Sequence, residues 1–460
     1  MTFRHSRKAQ SPRLAAHLLN RAAFGPAHGD IDSVLEVGFE RWIDDALAAP
    51  GDDPALEGRL APFPSLRQSS LEIWKNIRNR PDAMLREDLH SSKIIRCIYA
   101  RNQLIEVLTD FWYNHFNVMA KERYPLIASY ERDAIRPHVL GKFRNLLGAT
   151  ARHPAMLTYL DNTSNVANRY EAGVLVEGLN ENYGRELMEL HTISVQGGYH
   201  QPDVVDTARA FTGWQADCFS RNPTFAYAYV SPKHDCEPKR VMALELPASR
   251  DEEDGEGVLD YLASHPSTAR FVAYRLTQRL LSDEPPMSVV NRAAETFATT
   301  GGDLRAVTNT ILRSDEFWSD GAIAMKVKTP LEFVASAIRA VGADVSDARS
   351  ITHGALLRMG MLPYECSPPC GYSNRGSDWL NGFDWIQRFN FACKLAANEL
   401  SGVKSDISPD SGIDEMWRQV FGRVPSPATA AVLEKATDGH LPRFNKMVAL
   451  TLASPEFQWH

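Results

Sequence analysis

The densest run of reactive side chains is Asn180-Glu-Asn-Tyr-Gly-Arg-Glu-Leu-Met-Glu-Leu-His-Thr192. At about 100° per residue, a helix puts Asn182, Arg185, Glu186 and Glu189 on one face and Leu187, Met188 and His191 on the other. Two carboxylates beside an arginine can do acid–base work or ligate a metal, provided they are buried. The same spacing suits a solvated face carrying Glu181–Arg185 and Arg185–Glu189 pairs at i,i+4. Glycine in both flanking loops and the two asparagines argue against a purely solvated face. Both assignments stand at this level. His191 lies about 140° from Glu186, so an unbroken helix keeps them apart. A helix ending at Leu190 lets His191 swing round, and a core histidine is the competing assignment.

A second run is Leu108-Thr-Asp-Phe-Trp-Tyr-Asn-His-Phe-Asn-Val118. His115 falls with Leu104, Leu108, Phe111 and Trp112 on the apolar face, while Asp110, Asn114 and Asn117 form the polar side. A buried histidine must have a partner, which can be a backbone carbonyl, a carboxylate or a metal. His234-Asp235, with Lys239 following, is a third group. Neighbours on a strand point to opposite sides, so at most one of the pair faces a site unless the chain turns there. Asp203, Asp206 and Arg209 make a fourth, in which Asp203 is explained by the helix dipole.

The candidate catalytic residues are therefore Arg185, Glu186, Glu189 and Asp235, and the candidate metal ligands His115, Glu186, Glu189, His191 and His234. Mixed oxygen and nitrogen ligation suits a divalent transition metal such as iron, manganese or zinc. Redox chemistry and metal-assisted hydrolysis are both open to such a site, with oxidoreductase ranked ahead of hydrolase. Haem ligation through His115 or His191 is a weaker third option. There is no Gly-x-Gly-x-x-Gly before a helix, no Gly-x4-Gly-Lys-Ser/Thr, no His-Glu-x-x-His and no Gly-x-Ser-x-Gly. No nucleotide cofactor is expected.

The elements that must position these residues are mostly helical. Apolar spacing predicts helices over 13–24, 31–48, 67–80, 82–99, 101–118 and 131–151, the last kinked or broken at Pro137. Residues 162–180 read as a long loop and 180–192 as a helix. Phe225-Ala-Tyr-Ala-Tyr-Val alternates at period two, and Arg240–Leu246 offers a partner strand, so a small β-hairpin insertion is expected around 216–246. Helices resume from 256, and 359–383 reads as an irregular Pro/Gly-rich surface loop. The fold expected is all-α, one large multi-helical domain over 1–460 with that insertion.

Composition narrows the class without naming it. Of 460 residues, 44% are hydrophobic and 23% charged, with a net charge of -7, so disorder and dedicated nucleic-acid binding are disfavoured. No segment approaches the roughly 20 apolar residues of a membrane span. The basic N-terminus lacks an apolar signal core, which reads as cytoplasmic, or as periplasmic if an export signal has been removed. Six cysteines are too few for a disulfide scaffold, and Cys366-Ser-Pro-Pro-Cys370 is open to free thiols, a local disulfide or a metal. Oligomeric state is unreadable.

Taken in order, these motifs resemble the large bacterial family labelled "domain of unknown function 1800". The matching pieces include His17-Leu-Leu-Asn-Arg-Ala-Ala-Phe-Gly25, Phe111–Val118, Ile135-Arg-Pro-His138 and Pro154-Ala-Met-Leu-Thr-Tyr-Leu-Asp-Asn162. The most specific are Asn180–Thr192, Gly198-Tyr-His-Gln-Pro-Asp-Val204 and Ala208-Arg-Ala-Phe-Thr-Gly-Trp214. The resemblance implies no settled activity. It implies export for most members and genetic neighbours resembling sulfatases, hence cell-surface work. Where the family usually has Pro-Pro-x-Val-x-Gly-Trp-Pro, this chain has Pro368-Pro-Cys-Gly-Tyr-Ser-Asn-Arg-Gly-Ser-Asp-Trp379, which marks a specialised member. Two functions follow. One is a metal-dependent enzyme, with an unknown small-molecule or peptide substrate and its site between helices 101–118 and 180–192. The other is a non-catalytic binding or maturation partner of a cell-surface or sulfatase-like protein, whose polar clusters only fix a scaffold.

Overall fold

Helix starts follow the capping chemistry of the sequence. Ser11, Asn102 and Asp303 each accept a backbone N–H three residues on, opening Pro12–Ala22, Gln103–His115 and Leu304–Leu312. Thr329 and Glu332 form a reciprocal capping box at Pro330–Ala340, and prolines open Pro154–Tyr159 and Pro266–Leu280. The computed structural model describes residues 10–49, 51–76, 82–121, 124–171, 174–218, 220–405, 412–435 and 442–460.

The result is a mainly helical fold around Gln103–His115, which is buried along nearly its whole length. It packs against Asp82–Tyr99 and a π-helical turn at Tyr130–Ile135. Buried apolar residues form one continuous cluster from Ala15 to Phe457. Trp112 and Trp214 are completely buried in it; truncating either to alanine costs about 3–5 kcal/mol.

The predicted helix over 131–151 breaks rather than kinks. A 3-10 turn at Arg136–His138 contains Pro137, and a new helix runs Phe143–Arg152. The expected loop 162–180 carries a short antiparallel ladder, Arg169–Glu171 with Val174–Glu177.

The insertion is present but is paired differently from the sequence expectation. Tyr227–Tyr229 pairs antiparallel with Trp214–Ala216, not with 240–246. Lys239–Val241 instead turns back on Leu244–Leu246. The reason lies in the neighbouring helix Gln201–Ala210. Its Asp206 accepts the Arg240 N–H at 2.8 Å and its Asp203 accepts the Met242 N–H at 2.6 Å, so the second hairpin is fastened to the helix. Asp203 also closes its own helix by accepting the His200 N–H at 2.7 Å.

Residues 359–383 cross the end of Gln103–His115 as an ordered loop with a 3-10 turn at Gly376–Trp379. Asn114 bonds both backbone groups of Tyr372 at 2.7 and 2.6 Å, and Asn117 donates to the Cys366 and Pro368 carbonyls at 2.9 and 2.8 Å. Gly371 has φ 73°, and a Cβ there would overlap the Asn114 carbonyl. The loop needs glycine at that point.

Residues 458–460 add a strand-like bridge to 326–328, and the His460 Nδ1–H donates to the Asn20 carbonyl at 2.7 Å. Among the described residues no helix is long and apolar enough to cross a membrane.

Candidate functional site

The motif 180–192 is not one regular helix. Asn182–Glu186 is α-helical and Leu187–His191 is a π-helical turn, closed by Thr192 donating to the Leu187 carbonyl at 2.6 Å. Turns of this kind are frequent at functional sites. Gly184 lets the segment press on Gln201–Ala210, because a Cβ there would sit 3.0 Å from the Ala208 nitrogen. Leu187, Met188 and His191 are buried, while Arg185, Glu186 and Glu189 lie half-buried at the surface. The two faces separate as the helical wheel predicts.

Arg185 reaches Glu181 and Gln201 at 2.9 Å each and Glu189 at 3.5 Å, and Gln201 donates to Glu181 at 2.7 Å. The Tyr199 hydroxyl bonds Glu189, and burial followed by that carboxylate pushes its pKa up to about 12. Glu186 makes no hydrogen bond or ion pair among the described residues. Burial and then the Glu189 charge raise its carboxyl above the usual 4.5, against the pull of Arg185. One carboxylate is thus set toward its acid form beside another held among donors.

The histidines lie elsewhere. The His115 Nε2–H faces the His191 carbonyl at 3.1 Å, a backbone partner, with the two rings 6.2 Å apart at their centroids. His191 Nε2 is buried without a hydrogen-bond partner. Burial holds His191 at about 3, and burial, then Arg275, sets His115 well below 6.5. Above about pH 6.5 neither state binds these protons; as pH falls toward 3 the unfolded chain takes them up and the fold does not. Acid therefore destabilises the protein through this pair. His191→Gln is expected to remove about 2–3 kcal/mol of the stability lost between about pH 7 and pH 4.5. Urea midpoints at the two pH values measure this, and equal slopes for variant and parent would refute it.

His234 is committed on both ring nitrogens. Nδ1 lies 2.8 Å from the Thr212 carbonyl and Nε2 lies 3.3 Å from Asp254, which also takes the Lys239 ammonium at 2.7 Å. Asp235 receives a bidentate pair from Arg209 at 2.8 and 2.9 Å. Burial raises the Asp235 pKa, but Arg209 more than offsets this, so it stays ionised. Both residues fasten the 234–241 segment to its surroundings. Among the described residues, no group of three or more His, Cys, Asp or Glu side chains is placed to hold a metal ion. All six cysteines are free, with Cys236 and Cys370 exposed.

One polar cluster escaped the sequence reading. Lys93 is buried between Asp110 at 3.2 Å and Glu131 at 3.3 Å; Arg136 spans Glu106 at 2.7 Å and Glu131 at 2.9 Å. The Tyr364 hydroxyl donates to Glu131 at 2.8 Å. Burial pushes the Glu131 pKa up, but Lys93 and Arg136 outweigh it and hold the group at about 2. The available signal was Glu106, Asp110 and Asn114 at four-residue spacing on a helix that is otherwise apolar.

Fold and motifs together define a mainly helical protein whose polar signatures are largely knitted into its core. The chain matches the sequence model of the family described as "Protein of unknown function (DUF1800)" over residues 17–459, and it belongs to that family. No curated protein and no solved structure matches it.

Proposed function

We propose that this chain is an enzyme whose chemistry is carried by the Glu186–Glu189 pair. The observation that carries this reading is Glu186: a half-buried motif carboxylate beside a second carboxylate, with no hydrogen bond spent on the scaffold. A carboxyl raised in this way is set toward giving a proton, while Glu189 beside it is engaged by Arg185 and Tyr199. The substrate is a small molecule or peptide that reaches the surface between the π-turn and Tyr199. A metal-dependent oxidoreductase using iron, manganese or zinc needs nitrogen donors next to these carboxylates, and His115 and His234 are bonded elsewhere. Acid–base catalysis is the better supported form.

The test is an activity screen of the full chain with ester, amide, glycoside, phosphate and sulfate substrates and with redox dyes, together with elemental analysis. Activity lost in Glu186→Gln at unchanged thermal stability supports the enzyme. Stoichiometric metal that disappears in the same variant restores the metal-dependent form.

The second reading, a non-catalytic partner of a cell-surface protein, is favoured by how many motif groups are used internally. Asn162 donates to the Phe211 and Trp214 carbonyls, and Asn165 to the Ala208 carbonyl. It predicts no turnover on any of these substrates.

A further inference from the structure

A cavity of about 240 Å³ lies between the helix Asp82–Tyr99, the 3-10 turn Pro64–Leu66 and the π-helical turn Tyr130–Ile135, and no residue of 180–192 lines it. At about 30 Å³ per water it holds roughly eight water-sized units, enough for a small organic molecule. Its polar side is the Lys93 cluster described above: Glu131 and Tyr364 line it, both buried, and Arg136 lines it with a side chain 21% exposed. Its apolar side comes from four elements, as Leu60 of Pro54–Leu60, Leu66 of the 3-10 turn, Leu89 of the long helix and Ala128 of Tyr124–Ser129.

Four guanidinium groups line this space, and the protein itself neutralises three of them. Arg67 meets Glu57 at 2.9 Å, and Arg132 meets Asp133 at 2.7 Å. Arg136 is shared by Glu106 and Glu131 at 2.7 and 2.9 Å. Arg96 is the exception. It is half-buried, it makes no hydrogen bond or ion pair among the described residues, and none of its nitrogens is closed off from solvent. Leu89, Ser92 and Arg96 recur at three- and four-residue spacing, so one face of their helix carries all three along the cavity.

An unpaired guanidinium beside leucines selects its partner by shape, charge and polarity. Its planar fork matches a carboxylate through two parallel hydrogen bonds. One uncompensated cation calls for one negative charge. A second charge, as on phosphate, finds no free cation and meets Glu57 and Glu131 on the same lining. The leucines favour a hydrocarbon body over a hydroxylated one, because burying it removes apolar surface from water on both partners.

We propose that this cavity binds a small monocarboxylate with a hydrocarbon body, the class of the short branched and aromatic acids. The carboxylate pairs with Arg96, and the body rests against Leu60, Leu66 and Leu89.

Titration calorimetry of the full chain with isovalerate and benzoate tests this, with isovaleramide, benzamide and inorganic phosphate as controls. Saturable binding of at least one acid is expected, with its neutral amide and phosphate each weaker by about tenfold or more. Arg96→Gln should weaken that acid by about tenfold or more at unchanged thermal stability, since the side chain has no partner to lose. Leu66→Asn strips a half-buried part of the apolar wall and should weaken it by about tenfold as well. Should Leu66→Asn fail to fold, Arg96→Gln keeps the test decisive. Absence of saturable heat with both acids overturns the proposal. So does an amide or phosphate that binds as tightly as the acid, or unchanged affinity in Arg96→Gln.

Discussion

Asp254→Ala is expected to cost about 3–5 kcal/mol, because it strands a buried cation. Lys239 has no side-chain exposure and its ammonium sits 2.7 Å from Asp254, whose own side chain is 1% exposed. The remaining partners for that ammonium are the Asp235 and Glu237 carbonyls and, at 3.9 Å, the Asp235 carboxylate, which Arg209 already engages in a bidentate pair. His234 loses its 3.3 Å carboxylate contact in the same step. Denaturant midpoints measure the loss, and the comparison is the double variant Lys239→Met with Asp254→Leu. Replacing both partners by apolar groups of similar size should recover most of the stability, since a buried pair is worth little against a packed apolar substitute. A single-variant loss below about 1 kcal/mol would mean that Lys239 does not depend on this carboxylate.

Glu186→Gln should lower turnover by about 10²–10⁴-fold, the range for removing a general acid or base. The change keeps the shape of the side chain and deletes its proton chemistry. It also removes the repulsion with Glu189, the second cause of the raised Glu186 pKa, so stability should hold or rise slightly. The pH–rate profile gives a further check: a limb that reports Glu186 lies above pH 4.5 and disappears in the variant. Glu189→Gln should leave that limb but shift it downward, because the neighbouring charge is gone. Full activity in Glu186→Gln would remove this residue from the chemistry.

The mainly helical class was legible because periodicity and caps are local: Ser11, Asn102 and Thr329 announce their helices within four residues. The split of 180–192 into a polar and an apolar face was legible for the same reason. Strand pairing in the insertion was not. It depends on Asp203 and Asp206, which anchor residues 240–242 from a different element. The destination of each histidine was equally hidden. His115 and His234 carry the same side chain, yet one meets a backbone carbonyl and the other a carboxylate, and both partners are remote in sequence. The Lys93 network was missed because nothing along the chain brings Lys93 and Glu131 together; they meet only in the fold, where Tyr364 of the 359–383 segment also reaches Glu131. Burial is a tertiary property, and a charge pattern along the chain does not report it.

The bridge from 458–460 to 326–328, with His460 bonded to Asn20, also sets an order of events during synthesis. The helix Pro12–Ala22 leaves the ribosome well before residues 455–460, and a contact 440 residues away in sequence completes its surroundings. Until residues 455–460 emerge, Arg21 and Lys326 wait in a half-built interior that later buries both. At about 5–20 residues per second, that interval lasts tens of seconds, long enough for a chaperone to hold the early helices. Non-local closure of this kind slows folding, so chains stalled short of residue 455 should be far more protease-sensitive than chains that include residues 455–460.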